Sequence, residues 1–179
     1  MNRRDAIRHS SLLALAAMLG VTLPVRTWAA LPATEGWSTD DEDLLTLIGD
    51  TILPATPDSP GAGAVGIGRF ITTMARFCQP PEAEAGVRQV LRELQKQSRE
   101  HFPGGFAGLG TADRESVLSS FEATAGSRSP NSFRQIKELT LLGYFTSEVG
   151  ATQALRYDPV PGAYRGSVRI SDGDRSWAT

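Results

Sequence analysis

The sequence predicts an all-α protein, a helical bundle of four to five main helices with an extended C-terminal tail. Three observations carry this expectation. Apolar residues recur at helical spacing in successive windows between Asp40 and Val149. Proline, glycine or a Ser/Thr cap punctuates those windows, as helix ends require. No window alternates polar and apolar residues over a strand's length with β-branched enrichment.

The chain has 179 residues, 40% of them hydrophobic and 21% charged, with a net charge of −2. That suits one globular domain and lacks the basic surplus that nucleic acid would call for. Its histidine and cysteine ligands are few: His9 and His101, and the single Cys78. Such a supply cannot build a zinc site, a haem attachment or a disulfide framework. The chain is therefore expected to carry no catalytic, cofactor-binding or metal-binding residue of its own.

Residues 1–29 read as an export signal. Arg3 and Arg4 lead an apolar run from Ser10 to Leu23, shorter than the ~20 residues of a membrane span. Thr27 and Ala29 put small residues at −3 and −1, so cleavage is expected after Ala29. The paired arginines, the mild apolar run and Arg26 favour the twin-arginine route, which carries folded proteins. An ordinary signal with an incidental arginine pair is the alternative. Removal of residues 1–29 leaves 14 basic against 19 acidic side chains.

The bundle is expected over residues 30–156. Thr39 and Glu42 have capping-box spacing, and Asp40 to Asp43 read as a solvated, acidic helix start. Leu44, Leu45, Ile48 and Ile52 mark one helix face, which ends at Pro54. Pro54, Pro57 and Pro60 then make a rigid corner, with backbone freedom expected at Gly61 and Gly63. Two readings of the corner stay open: a stiff connection between helices, or a loop held out to a partner. Gly61 to Gly66 spells GxGxxG. It follows a proline-rich stretch instead of a strand, so it does not read as a dinucleotide fingerprint.

Ile67, Phe70, Ile71, Met74 and Phe77 give the second helix its stripe, and Cys78 near its end reads as a small buried hydrophobe. An intermolecular disulfide is the alternative for that thiol. Pro80-Pro81 starts a third helix, with Val87, Val90, Leu91, Leu94 and Phe102 inward and a mixed-charge outer face. Pro103-Gly104-Gly105 ends it, and Phe106 and Leu109 tuck the following loop onto the core. Thr111 caps a fourth helix with Val117, Leu118 and Phe121. Ser129-Pro130 opens the longest, expected to run to about Val149, with Phe133, Ile136, Leu139, Leu142, Tyr144 and Phe145 on its apolar surfaces. Gly150 breaks it.

Residues 157–179 differ in character. Pro159, Pro161, Gly162 and Gly166 are interleaved with Tyr157, Tyr164, Ile170 and Trp177. Disordered tails are poor in aromatics. Spaced aromatic anchors suit a segment that lies along another surface, either a partner's or that of its own bundle.

Two blocks resemble a known family. D-T-I-L-P-A-T-P-D-S-P-G-A (from Asp50) is one. L-L-G-Y-F-T-S-E-V-G-A (from Leu141), with the later Y-D-P-V-P-G-A-Y-R-G and Trp177, is the other. Both are similar to the small subunit of gluconate 2-dehydrogenase, called subunit 3. The resemblance implies a non-catalytic partner of a large FAD-dependent subunit of the glucose–methanol–choline type. It also implies a cytochrome c subunit carrying haem c that takes the electrons onward. The small subunit of such complexes carries the signal that brings the large one to the periplasm. Related small subunits serve enzymes for other sugars, including oxidation at position 3 of glucosides. Under this resemblance the partner-facing candidates are Pro54, Pro57, Pro60 and Gly61 in the corner, and Tyr157, Pro161, Tyr164 and Trp177 in the tail.

Two other functions compete with it. One is a stand-alone periplasmic binder of a small ligand. The other is an enzyme using Asp50, Glu148 and Tyr144 as an acid–base set, although carboxylates in helical proteins more often cap, pair or face water.

Overall fold

The computed structural model describes residues 28, 31–125, 130–160, 162–163 and 167–178. Arg3, Arg4, Thr27, Ala29, Pro161 and Tyr164, and the cap expected at Ser129, lie outside the described residues. The fold is all-α, and no strand is formed among the described residues. Helices α1 (Thr39–Ile52), α2 (Ile67–Phe77), α3 (Pro81–His101), α4 (Thr111–Ala125) and α5 (Pro130–Phe145) make the bundle. None is long and apolar enough to cross a membrane.

Short α2 is the centre, packed against α1, α3 and α5. Its inward residues Ile67, Phe70, Ile71 and Ala75 are buried with Leu45 and Ile48 of α1. The inner stripes of α3 and α5 (Val87, Leu94, Phe133, Ile136) complete that cluster. Gly68 lets α2 approach α1, since a β-carbon there would strike the Glu42 carbonyl. Phe106 and Leu109 are buried as the loop after α3 closes over the core.

The start of α1 corrects the sequence expectation. Ser38, not Thr39, is the cap: its hydroxyl accepts from Asp41 N at 3.1 Å, and Asp41 answers the Ser38 amide at 3.2 Å. Both pairs have the required spacing, and the chain enters one residue earlier. Glu42 is then not a solvated acid. It falls on the inner face with Leu45 and Gly49 and is 7% exposed. Its carboxylate takes Arg69 Nε at 2.8 Å and Nη2 at 2.7 Å. Arg69 in turn donates Nη1 to the Leu31 carbonyl at 2.7 Å.

Leu31 belongs to a leader fastened along the bundle. Thr34 is buried and meets Thr73 Oγ1 at 3.2 Å. Arg88 donates to the Gly36 carbonyl at 2.7 Å and lies 3.8 Å over the Trp37 ring. Trp28, inside the expected signal, packs on Phe70 with ring centroids 5.0 Å apart.

Two stripes end differently from expectation. Phe77 is 71% exposed and Cys78 is exposed, because α2 stops there and Pro80-Pro81 turns the chain away. Cys78 is therefore not a buried hydrophobe. Leu142 is exposed on the outer face of α5, while Tyr144 is buried. The break after α5 comes at Thr146–Ser147 and not at Gly150. Ser147 Oγ donates to the Tyr144 carbonyl at 2.6 Å and accepts from Gly150 N at 3.0 Å, drawing the chain into a tight bend. One wide turn, Gly150–Ala154, follows, closed by Leu155 N on the Gly150 carbonyl at 3.0 Å.

Candidate functional site

The corner between α1 and α2 is built from within. Leu53 caps α1, and its carbonyl accepts from Ala62 N at 2.9 Å. At the tip, Thr56 N donates to the Ser59 carbonyl at 2.8 Å, and Ser59 N returns to Thr56 Oγ1 at 3.2 Å. Asp50 Oδ1, from the last turn of α1, accepts from Gly63 N at 3.1 Å. Tyr144, from the end of α5, donates its hydroxyl to the Pro60 carbonyl at 2.6 Å. The corner is thus a rigid shelf pinned from two helices.

Backbone freedom is needed elsewhere than expected. Gly61 has φ −74°, and neither it nor Gly63 has a positive φ. They are glycines because the Asp50 carboxylate lies against both, where a β-carbon would crowd it. The left-handed residue of this corner is Gly66, at φ 73°, which reverses the chain into α2. Gly61 is also buried, so it presents no surface, whereas Pro54 and Pro57 are exposed and Pro60 is half-buried.

These bonds decide the GxGxxG sequence. A phosphate cradle needs free amides. Here Ala62, Gly63, Ala64 and Gly66 donate respectively to Leu53 O, Asp50 Oδ1, Gly61 O and Gly63 O. The segment does not fit a dinucleotide. The same bonds disperse the acid–base set: Asp50 and Tyr144 are committed to the corner, and Glu148 is exposed.

The tail reaches the same end of the molecule. From Leu155 on, no helix is formed among the described residues. The chain leaves at Arg156 and comes back to it. Arg156 N donates to the Ser176 carbonyl at 2.8 Å, and Ala178 N donates to the Arg156 carbonyl at 2.9 Å. The Arg156 guanidinium lies 4.1 Å over the Trp177 ring, leaving that residue 45% exposed. Arg175 binds the Gln153 carbonyl at 2.7 Å and stands 3.9 Å from Asp58 at the corner tip. Between these ends Tyr157, Val160, Val168 and Ile170 are exposed, Ile170 by 84%.

Corner candidates Pro54 and Pro57 and tail candidates Tyr157 and Trp177 are all exposed, and the contact that links tail to corner is Arg175 with Asp58. Sequence reasoning missed the two arginines that close the tail, Arg156 and Arg175, because a lone arginine in a loop carries no periodic signal. It also missed the Glu42–Arg69 pair, although Glu42 keeps step with Leu45 and Gly49 on the buried stripe.

A surface hollow lies elsewhere, a groove of about 580 Å³ between the start of α1 and α3. Asp40, Asp41, Arg92, Lys96 and Arg99 line it, and it is open to solvent along its length. Among the described residues no group of three or more His, Cys, Asp or Glu is placed to hold a metal ion.

Comparison with curated proteins and with solved structures found no match. The family model described as gluconate 2-dehydrogenase subunit 3 matches residues 39–162, from the first residue of α1 into the tail. That is well over half the chain and takes in α1 to α5, the corner and the Tyr144 pin. By that match the chain belongs to the gluconate 2-dehydrogenase subunit 3 family.

Proposed function

We propose that this chain is the non-catalytic small subunit of a periplasmic flavoprotein dehydrogenase that oxidises a sugar or sugar acid. It supplies the twin-arginine signal through Arg3 and Arg4 and stabilises the large FAD-dependent subunit. A cytochrome c subunit with haem c would take the electrons onward. Family membership supports the coarser part, a subunit of a dehydrogenase complex.

One observation supports the contact with a partner subunit. The polar groups at the corner and the end of α5 are spent on holding shape, while apolar residues of the tail stay exposed. A scaffold of that kind suits contact with another protein better than chemistry. Exposed Tyr157, Val160 and Ile170 beside a stiff proline shelf offer anchors on a preorganised support.

Co-expression with the flavoprotein partner tests this. A tag on this chain should retrieve a yellow large subunit from the periplasm. Arg3→Lys with Arg4→Lys should leave both proteins in the cytoplasm. Recovery of a colourless, partner-free chain from the periplasm would contradict the subunit role. Normal export of the double variant would contradict the twin-arginine route.

A further inference from the structure

We infer that the seat of Trp28, between α2 and α5, is a socket for a tryptophan of the partner subunit. This deepens the proposed subunit role and rests on it. The seat has two parts, and Trp28 uses both. Its Nε1 donates to the Gly143 carbonyl at 2.7 Å, and its ring lies on Phe70 with centroids 5.0 Å apart.

Both parts are made by the bundle and not by the indole. In a continuing helix the amide of Ser147 would serve the Gly143 carbonyl. Here it goes to Tyr144 O at 3.1 Å, so a helix-end acceptor is left over. The missing side chain of Gly143 lets α5 lie close on α2, since a β-carbon there would strike Phe70 and Ile67. Phe70 is buried with the indole in place, so an empty seat bares an apolar ring beside a carbonyl short of a donor. An occupant has to bring a flat apolar face and an N–H together, which is the chemistry of indole.

Trp28 is a replaceable occupant. The leader beyond it keeps its own fastenings at Leu31, Thr34 and Gly36 when the indole leaves. Trp28 also belongs to the proposed export signal, so loss of the signal leaves the seat unfilled. The residue after Gly143, Tyr144, pins the corner through Pro60, and Leu141 and Leu142 before it are exposed. An aromatic anchor in a well-packed pocket is the kind of contact that dominates an interface.

Two measurements test this on the full-length chain, native and Trp28→Ala. In the first, N-acetyl-tryptophanamide is titrated while amide resonances are followed. Those of Phe70 and Gly143 should shift saturably in Trp28→Ala. Binding to the native chain, whose own indole competes, should be at least about tenfold weaker. The analogue methylated on the indole nitrogen should bind Trp28→Ala about fivefold more weakly, having lost one hydrogen bond. In the second, each chain captures the co-expressed large subunit. Trp28→Ala should hold it at least about fivefold more tightly than the native chain. Trp28→Phe, which keeps a ring on Phe70 but loses the donor, should fall between. Shifts that are absent, or equal in both chains, overturn the socket, as does methylation without effect. Equal or weaker capture by Trp28→Ala overturns the partner's use of it and leaves the subunit role standing. No capture by any of the chains removes the subunit role, and the occupant inferred here with it.

Discussion

The leader (residues 31–38) and the tail (residues 155–178) both flank the bundle without helix, yet they are held in opposite ways. Along the leader, bundle side chains reach out to the backbone: Arg69 to Leu31 and Arg88 to Gly36, with Thr34 buried and Trp37 sealed under Arg88. Among its described residues the tail is held near its ends, by Arg156 and Arg175, and Tyr157, Val160, Val168 and Ile170 between them are exposed. Aromatic content does not separate the two. The difference is whether the bundle presents donors that a passing backbone can use.

The sharpest way to break that contrast is Arg69→Ala. It frees the leader and strands the Glu42 carboxylate in a buried place, which should cost about 3–5 kcal/mol in urea unfolding. Glu42→Leu combined with Arg69→Met should recover most of the loss, because the pair's burial is itself costly. A loss below about 1 kcal/mol for Arg69→Ala would mean the leader is no better held than the tail.

Truncation after Leu155 probes the other side. Circular dichroism should show unchanged helicity, with stability altered by less than about 1 kcal/mol. Capture of the large subunit should weaken by about 2 kcal/mol or more. Trp177→Ala alone, which opens the contact with Arg156, should cost about 1 kcal/mol of that binding. An unfolded truncated chain would put the tail in the same class as the leader.

The smallest effect sharpens the leader's attachment. Burial pushes the Glu84 carboxyl upward, but hydrogen bonds from Arg88 and Arg76 outweigh it and hold it below its ordinary value of 4.5. A depressed carboxyl stabilises the fold above the unfolded value, and that contribution disappears as pH falls through the lower folded value. Glu84→Gln should therefore cost less than about 1 kcal/mol at pH 7. It should cost nothing once the wild-type carboxyl is protonated, as acid titration of urea midpoints would read.

The helices were legible because burial imposes periodicity: Leu45 and Ile48, Ile67 and Ile71, Val87 and Leu94, Ile136 and Leu139 are where their spacing puts them. Periodicity does not say how far a neighbour's cover extends, so Phe77 and Leu142 keep an inward spacing and yet lie outside. Charge misled at Glu42, since a local tally of acids cannot see a cation 27 residues away on the next helix. The corner's prolines were visible, whereas its pins were not. A carboxylate on a turn amide and a phenol on a proline carbonyl join residues with no shared pattern. The tail's closure was hidden for the same reason.

The bond from Tyr144 to Pro60 spans 84 residues, and it implies an order of events during synthesis. The corner and its two helices are local and can form as soon as they emerge, but their last hydrogen bond needs a hydroxyl made far later. Contacts so distant in sequence are slow to find and are formed after local structure. A nascent chain that stops short of residue 144 thus has an unfinished shelf, and the corner is completed only when α5 has been made.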